Sequence, residues 1–280
     1  MSVRPMLPML LLVGCGWLWS DVAAADGIFP DKNLEKVVRQ YVFAKKDNQE
    51  PLTDDDVKNI STIYGKKSGI TNLAGLEKCV ALQLLDLEEN EVADLTPIKD
   101  LKLLQSLNMA KNKLNNLAPL AELTALQYLQ LDNNQIVDLA PLAKMENMMA
   151  LYLANNQVKD IAPLNGLAKM HALYLEGNAG VDIKPVANLK RLSSLDLQGT
   201  GISDLSPLAE LTELSFLMLS KNQITDLTVL VEMAKKDAAG MKRFSPFWRI
   251  YLGGNPLSDA AKTAQVEELK KLGGKLFLDQ

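Results

Sequence analysis

Histidine, cysteine and aromatic residues are scarce in this chain. Its 280 residues include one His, two Cys and only 5% Phe, Trp and Tyr. A Ser-His-Asp triad, a Cys-His pair or a His-rich zinc site would have to use His171, Cys15 and Cys79 alone, which makes most such chemistry improbable. HExxH, CxxC and phosphate-cradling glycine motifs are missing, and Gly253-Gly254 and Gly273-Gly274 fit none of them. Basic excess is also lacking. A formal net charge of −4 gives no footprint for nucleic acid. Beyond the N-terminus no apolar run reaches the length of a membrane span. What remains is 48% hydrophobic residues, ample for a core.

Residues 1–25 read as an export signal. Arg4 supplies the positive start, Met6–Trp19 the apolar stretch, and Ala23 and Ala25 the small-x-small cleavage pattern. Leu12–Cys15 offers an alternative, a lipobox in which Cys15 would be acylated. The expected destination is periplasmic or secreted, with an outer-envelope lipoprotein as the alternative. After removal of 1–25, Cys79 is the only thiol and no intrachain disulfide can form.

The rest of the chain repeats itself every 22 residues. Leu85–Asn90 aligns on Leu107–Asn112, Leu129–Asn134, Leu151–Asn156, Leu173–Asn178, Leu195–Thr200 and Leu217–Asn222. Ile63–Ser68 is a weaker first copy, and Ile250–Asn255 follows after 11 extra residues. Nine units therefore begin at Ile60, Leu82, Leu104, Leu126, Met148, Met170, Leu192, Leu214 and Phe247. Each reads roughly LxxLxLxxNxIxDLxPLxxLxx, the leucine-rich-repeat signature. Its Asp-Leu-x-Pro-Leu half, as at Asp204–Leu208, resembles the 22-residue class of bacterial internalins. The resemblance spans about 60–257 and implies a solenoid fold and a habit of binding proteins.

The residues support that reading independently. Alternation at each LxL predicts short parallel strands, such as 129–131 and 173–175, with leucines inward. The Asn of each unit follows its strand, where its amide can bond backbone of its own and the adjacent coil. The recurrent Pro97, Pro119, Pro141, Pro163, Pro185 and Pro207 suit the first turn of a short 3₁₀ return. Leu142 and Met145 then point back inward. One coil cannot bury its own leucines, but stacked coils bury one another's. The expected fold is α/β: a curved parallel sheet on the concave face, with 3₁₀ or helical returns on the convex one.

Caps are expected at both ends. Residues 26–59 form the first, with a helix after Asp31 and a second opened by Thr53. Residues 258–280 form the other, with a helix over 259–272 and an edge strand at 275–278. That helix should bury Ala261, Ala264, Val266, Leu269 and Leu272. The 11 extra residues, near 234–246, should lengthen a convex helix and carry a basic segment at 235–243. Asp54, Asp55 and Asp56 read as helix-start acids rather than a calcium loop. The recurring Asp94, Asp138, Asp160, Asp182, Asp204 and Asp226 read as turn formers, Cys79 as a small buried hydrophobe and His171 as a surface residue.

Function is expected in the outward strand slots, where residue type varies from coil to coil. Of the thirteen aromatics beyond residue 25, six fall among the 18 residues of two outward rows: Tyr64, Tyr128, Tyr152, Tyr174, Phe216 and Tyr251. Rigid aromatics on an exposed sheet are what recognition surfaces use. The expected contact site comprises Tyr128, Asp132, Tyr152, Tyr174, Glu176, Phe216, Met218 and Tyr251. No enzyme activity, cofactor or metal is expected. The expected partner is a protein with some positive charge, or, alternatively, an envelope glycan stacking on the Tyr row.

Overall fold

A computed structural model describes residues 27–244 and 247–279. The expected export segment, with Cys15, lies outside the described residues.

Ten short strands form one parallel sheet in strict chain order. They are β1 Thr62–Tyr64, β2 Leu84–Asp86, β3 Ser106–Asn108, β4 Tyr128–Gln130, β5 Ala150–Tyr152, β6 Ala172–Tyr174, β7 Ser194–Asp196, β8 Phe216–Met218, β9 Arg249–Tyr251 and β10 Lys275–Phe277. Every central residue faces the interior, as Leu129, Leu151 and Leu173 do at 0% exposure. Strand pairing keeps the 22-residue register from β1 to β8, so Gln130 sits beside Tyr152 and Tyr152 beside Tyr174, and the last two steps are longer, pairing Phe216 with Arg249 and Arg249 with Lys275. The strands begin one residue earlier than the LxL pattern predicts and end before the second leucine. The reason is chemical. The Leu131 carbonyl accepts from Asn134 Nδ2 and from Asn156 Nδ2, both at 3.0 Å, and so leaves the sheet ladder.

That asparagine is the key to each turn. Asn134 Nδ2 donates to Met109 O at 2.9 Å in the previous coil and to Leu131 O in its own, while Oδ1 accepts from Leu114 N at 2.9 Å. Asn112 and Asn156 repeat the pattern. Backbone that no helix or sheet could pair is thereby satisfied. Thr200 departs from the pattern, and the Gly180 amide bonds the Thr200 backbone carbonyl at 2.8 Å instead. The residue before the asparagine is left-handed in coil after coil, as at Glu89, Lys111, Asn133 and Asn155, so Gly177 suits its slot.

The returns are 3₁₀ turns with proline in their first two positions, at Thr96–Ile98, Ala118–Leu120, Ala140–Leu142, Ala162–Gly166, Lys184–Asn188 and Ser206–Leu208. The recurring aspartates open them. Asp138 Oδ1 accepts from Ala140 N at 2.8 Å, and Asp94, Asp160 and Asp204 do likewise two residues on. In the eighth coil the return is instead a full α-helix, α3, Thr228–Ala239.

Both ends of the sheet are closed. Helix α1, Lys32–Arg39, starts at Asp31, whose one oxygen takes the amides of Asn33 and Leu34 while the other takes those of Thr71 and Asn72. Burial pulls this carboxyl up, but the amides outweigh it and hold it below its usual value. The Tyr41 hydroxyl accepts from Tyr64 N at 2.8 Å and shields the open edge of β1. Helix α2, Asp54–Val57, begins with a capping box between Thr53 and Asp56. At the far end, a π-helical turn at Ala261–Gln265 runs into α4, Val266–Lys271, which leads to β10. Ala264, expected inward, is exposed. The wide turn makes the buried step five residues, from Ala261 to Val266, and swings Ala264 outward. It also turns Gln265 onto the start of α3, where its Oε1 accepts from Leu227 N at 2.8 Å.

Candidate functional site

The side chains facing away from the core stand in rows across the sheet. One row runs Asp86, Asn108, Gln130, Tyr152, Tyr174, Asp196, Met218, Tyr251 and Phe277. Since parallel strands lie roughly 4.8 Å apart, large neighbours in a row must touch. The Tyr152 and Tyr174 rings stack at 4.6 Å with a 12° interplanar angle. Tyr128, from the adjacent row, leans on Tyr152 at 5.2 Å and 46°. Its hydroxyl donates to Gln130 Oε1 at 2.8 Å. Burial pushes the Tyr128 phenol up to about 12, so it stays protonated and able to donate at neutral pH.

Acids surround this stack. Asp132 accepts from Ala154 N at 2.7 Å and from Gln130 Nε2 at 3.2 Å. Burial raises its pKa, and the nearby Glu176 and Glu88 carboxylates push the same way. Asp196, only 5% exposed, accepts from Gln198 N at 2.9 Å and more loosely from Gln198 Nε2 at 3.4 Å. It too is raised, by burial first and then by Glu176 and Asp132. Glu176 is exposed at the rim.

Phe216, Met218 and Tyr251 form a second group beyond β7. Phe216 and Tyr251 lie 6.5 Å apart, and Tyr251 stacks on Phe277 at 4.4 Å and 9°. The Arg249 guanidinium sits 4.8 Å over the Phe216 ring. Phe277 was invisible to the repeat pattern because it lies outside the period, on the cap strand. Its only signal is the aromatic one residue from the end of a predicted edge strand.

The other candidates lead away from chemistry. Cys79 is fully buried, and desolvation pushes its thiol up to about 12. His171 is half-buried at a strand start. Among the described residues no group of three or more His, Cys, Asp or Glu could hold a metal ion. Much of the basic 235–243 segment is neutralised locally: Lys235 pairs with Glu232 at 3.1 Å, Lys236 with Glu210 at 2.9 Å and Arg243 with Glu213 at 3.2 Å. No described helix is long and apolar enough to cross a membrane.

Repeated strand, ladder asparagine and proline-led return define a leucine-rich-repeat solenoid, a fold that commonly mediates protein–protein binding. A model of paired leucine-rich repeats matches residues 102–144 and 190–232. The chain is similar to internalin C2 of Listeria monocytogenes, with 35% identity over 74% of this chain and 91% of that one, at a TM-score of 0.70. It belongs to the internalin family of leucine-rich-repeat proteins. The functional domain of InlJ from the same organism, which includes a cysteine ladder, matches at 22% identity and a TM-score of 0.63, over 85% of this chain and 54% of that one. A plant receptor-kinase ectodomain from Arabidopsis thaliana, in complex with CASPARIAN STRIP INTEGRITY FACTOR 2, shares the fold at 22% identity and a TM-score of 0.53, over 66% and 23%. No curated protein sequence matches significantly.

Proposed function

We propose that this is an exported, non-enzymatic module that binds another protein through its concave face. The observation behind this is the contiguous Tyr128–Tyr152–Tyr174 cluster, half-buried and facing away from the core. Stacked rings on a rigid sheet lose little side-chain freedom on binding, which favours affinity from few contacts. Export rests on the sequence of residues 1–25. The glycan alternative finds less support. Tyr152 has Tyr174 stacked on one face and Tyr128 leaning on it, so the row offers at most the outer face of Tyr174, whereas sugar rings stacking along the Tyr row need several open faces.

The test is the double variant Tyr152→Ala with Tyr174→Ala, titrated against a partner captured on the immobilised chain and identified. Melting should remain close to that of the parent, because both rings point away from the core. Binding should weaken by about 2 kcal/mol or more, roughly thirtyfold in Kd. Full-strength binding by a well-folded double variant would place the contact elsewhere.

A further inference from the structure

The middle of the concave face holds a charge that the protein does not balance. The outward slots of β4 to β7 and the turns that follow them carry Asp132, Glu176 and Asp196 but no lysine or arginine. Charged groups are seldom buried unless paired. Yet Asp196, at 5% exposure, is met by the amides of Gln198 alone. Arg249, the nearest cation along the rows, is engaged over the Phe216 ring. A second group nearby is also unmet. Ser220 follows β8 in the outward row that contains Glu176 and Gln198, is 1% exposed, and its Oγ has no hydrogen-bond partner.

Register sets the shape around these groups. Asp196 is a short side chain placed between taller ones, Tyr174 on β6 and Met218 on β8. One face of the Tyr174 ring is stacked on Tyr152, and the strand on its other side is the one bearing Asp196. A flat cation entering between Tyr174 and Met218 would lie on an aromatic face, above a carboxylate, with Glu176 at the rim. Guanidinium suits this better than ammonium. It is planar and weakly hydrated, stacks on aromatic rings, and carries five donors, enough for a carboxylate and a hydroxyl together. The 3.4 Å bond from Gln198 Nε2 is the weakest at Asp196 and the one an incoming donor replaces.

We infer that the concave face recognises an arginine-bearing segment of its protein partner, with the guanidinium seated over Asp196 between Tyr174 and Met218. This rests on the concave-face reading above and names the chemistry of the partner.

The experiment uses the chain lacking residues 1–25 and fluorescein-labelled hexa-arginine, followed by anisotropy. Asp196→Asn keeps the shape and, through Oδ1, the bond from Gln198 N while removing the charge and the loose Gln198 Nε2 contact, and should weaken peptide binding at least tenfold. Glu176→Gln, an exposed change that leaves the fold untouched, should weaken it about threefold or more. Glu267→Gln, on the far helix α4, removes the same charge and should leave binding within twofold. Unliganded Asp196→Asn should also melt higher than the parent, since it removes an uncompensated buried charge. A purely structural Asp196 would melt lower when neutralised. Equal losses from Glu267→Gln and Asp196→Asn, a lower melting temperature for Asp196→Asn, or no binding of hexa-arginine by the parent would each overturn the inference. Equal binding of hexalysine would overturn the guanidinium fit. If a captured partner is lost on Tyr152→Ala with Tyr174→Ala but held by Asp196→Asn, the arginine seat fails while the concave-face reading stands.

Discussion

Glu88, just after β2, and Asp196, on β7, both lie in outward rows and differ in company. At the N-terminal end, Glu88 is bridged by Lys66 at 2.8 Å and Lys111 at 3.1 Å, and the Lys66 bond is the main cause of its lowered pKa. Asp56 in the cap is likewise tied to Lys45 at 2.7 Å. Further along the sheet, Asp132 and Asp196 have amide partners only, and burial lifts both. Beneath them the asparagine ladder runs from Asn90 to Asn255, interrupted at Thr200. The difference shows where the sequence serves the fold and where it is free. A polar group that repeats coil after coil is satisfied by the chain itself, whereas a charge left uncompensated in one coil answers to no requirement of the repeat.

The contrast breaks most sharply at the ladder. Asn134→Ala removes donors and an acceptor from Met109, Leu131 and Leu114, and should cost about 1–3 kcal/mol in urea unfolding. A parent-like transition would mean that the ladder is ornament. The two acid populations should differ next, and in sign. Asp56 is held at about 2, below its ordinary 3.8, by Lys45 first and then by the Thr53 hydroxyl. Its stabilising contribution is therefore complete above pH 3.8 and lost as pH falls toward 2. Asp56→Asn should cost about 1–2 kcal/mol at pH 7 and almost nothing at pH 2. Asp132 and Asp196 are raised, so they favour the native state only when protonated and weaken it as pH climbs past 3.8 through their raised values. Urea titrations at the two pH values separate these slopes. The smallest effect should come from a surface pair. Lys113→Ala breaks the 2.8 Å contact with Glu91, both partners exposed, and should leave the urea midpoint indistinguishable from the parent's.

The sequence made the solenoid legible because each coil states the same requirements. Leu129, Asn134, Asp138 and Pro141 could be assigned from period alone, and each occupies the expected environment. Ala264 could not, because a π-helical turn breaks the spacing on which a helical face is read. Val181 is another case. Gly180 holds the aliphatic slot of its coil, and Val181 fills the core from one residue later, at 5% exposure. The outward aromatics were readable as a row, and their stacking followed from register. The isolation of Asp196 was not readable. Whether a carboxylate has a counter-charge depends on where side chains from several coils converge, and no single repeat encodes that.

The ladder also has a direction. Each asparagine serves backbone in the coil before it: Asn156 takes Ile136 N at 3.0 Å and reaches Leu131 O, positions 20 and 25 residues earlier. A coil is therefore not complete when its own last residue is made. Its inner amide waits for a side chain that belongs to the next turn. Synthesised from the N-terminus, the polypeptide must close each turn one step behind its own growth. The process stops at Asn255, which takes Ile224 N of the eighth coil at 3.1 Å, and the ninth coil closes on itself, Leu257 N donating to Asn255 O at 2.9 Å.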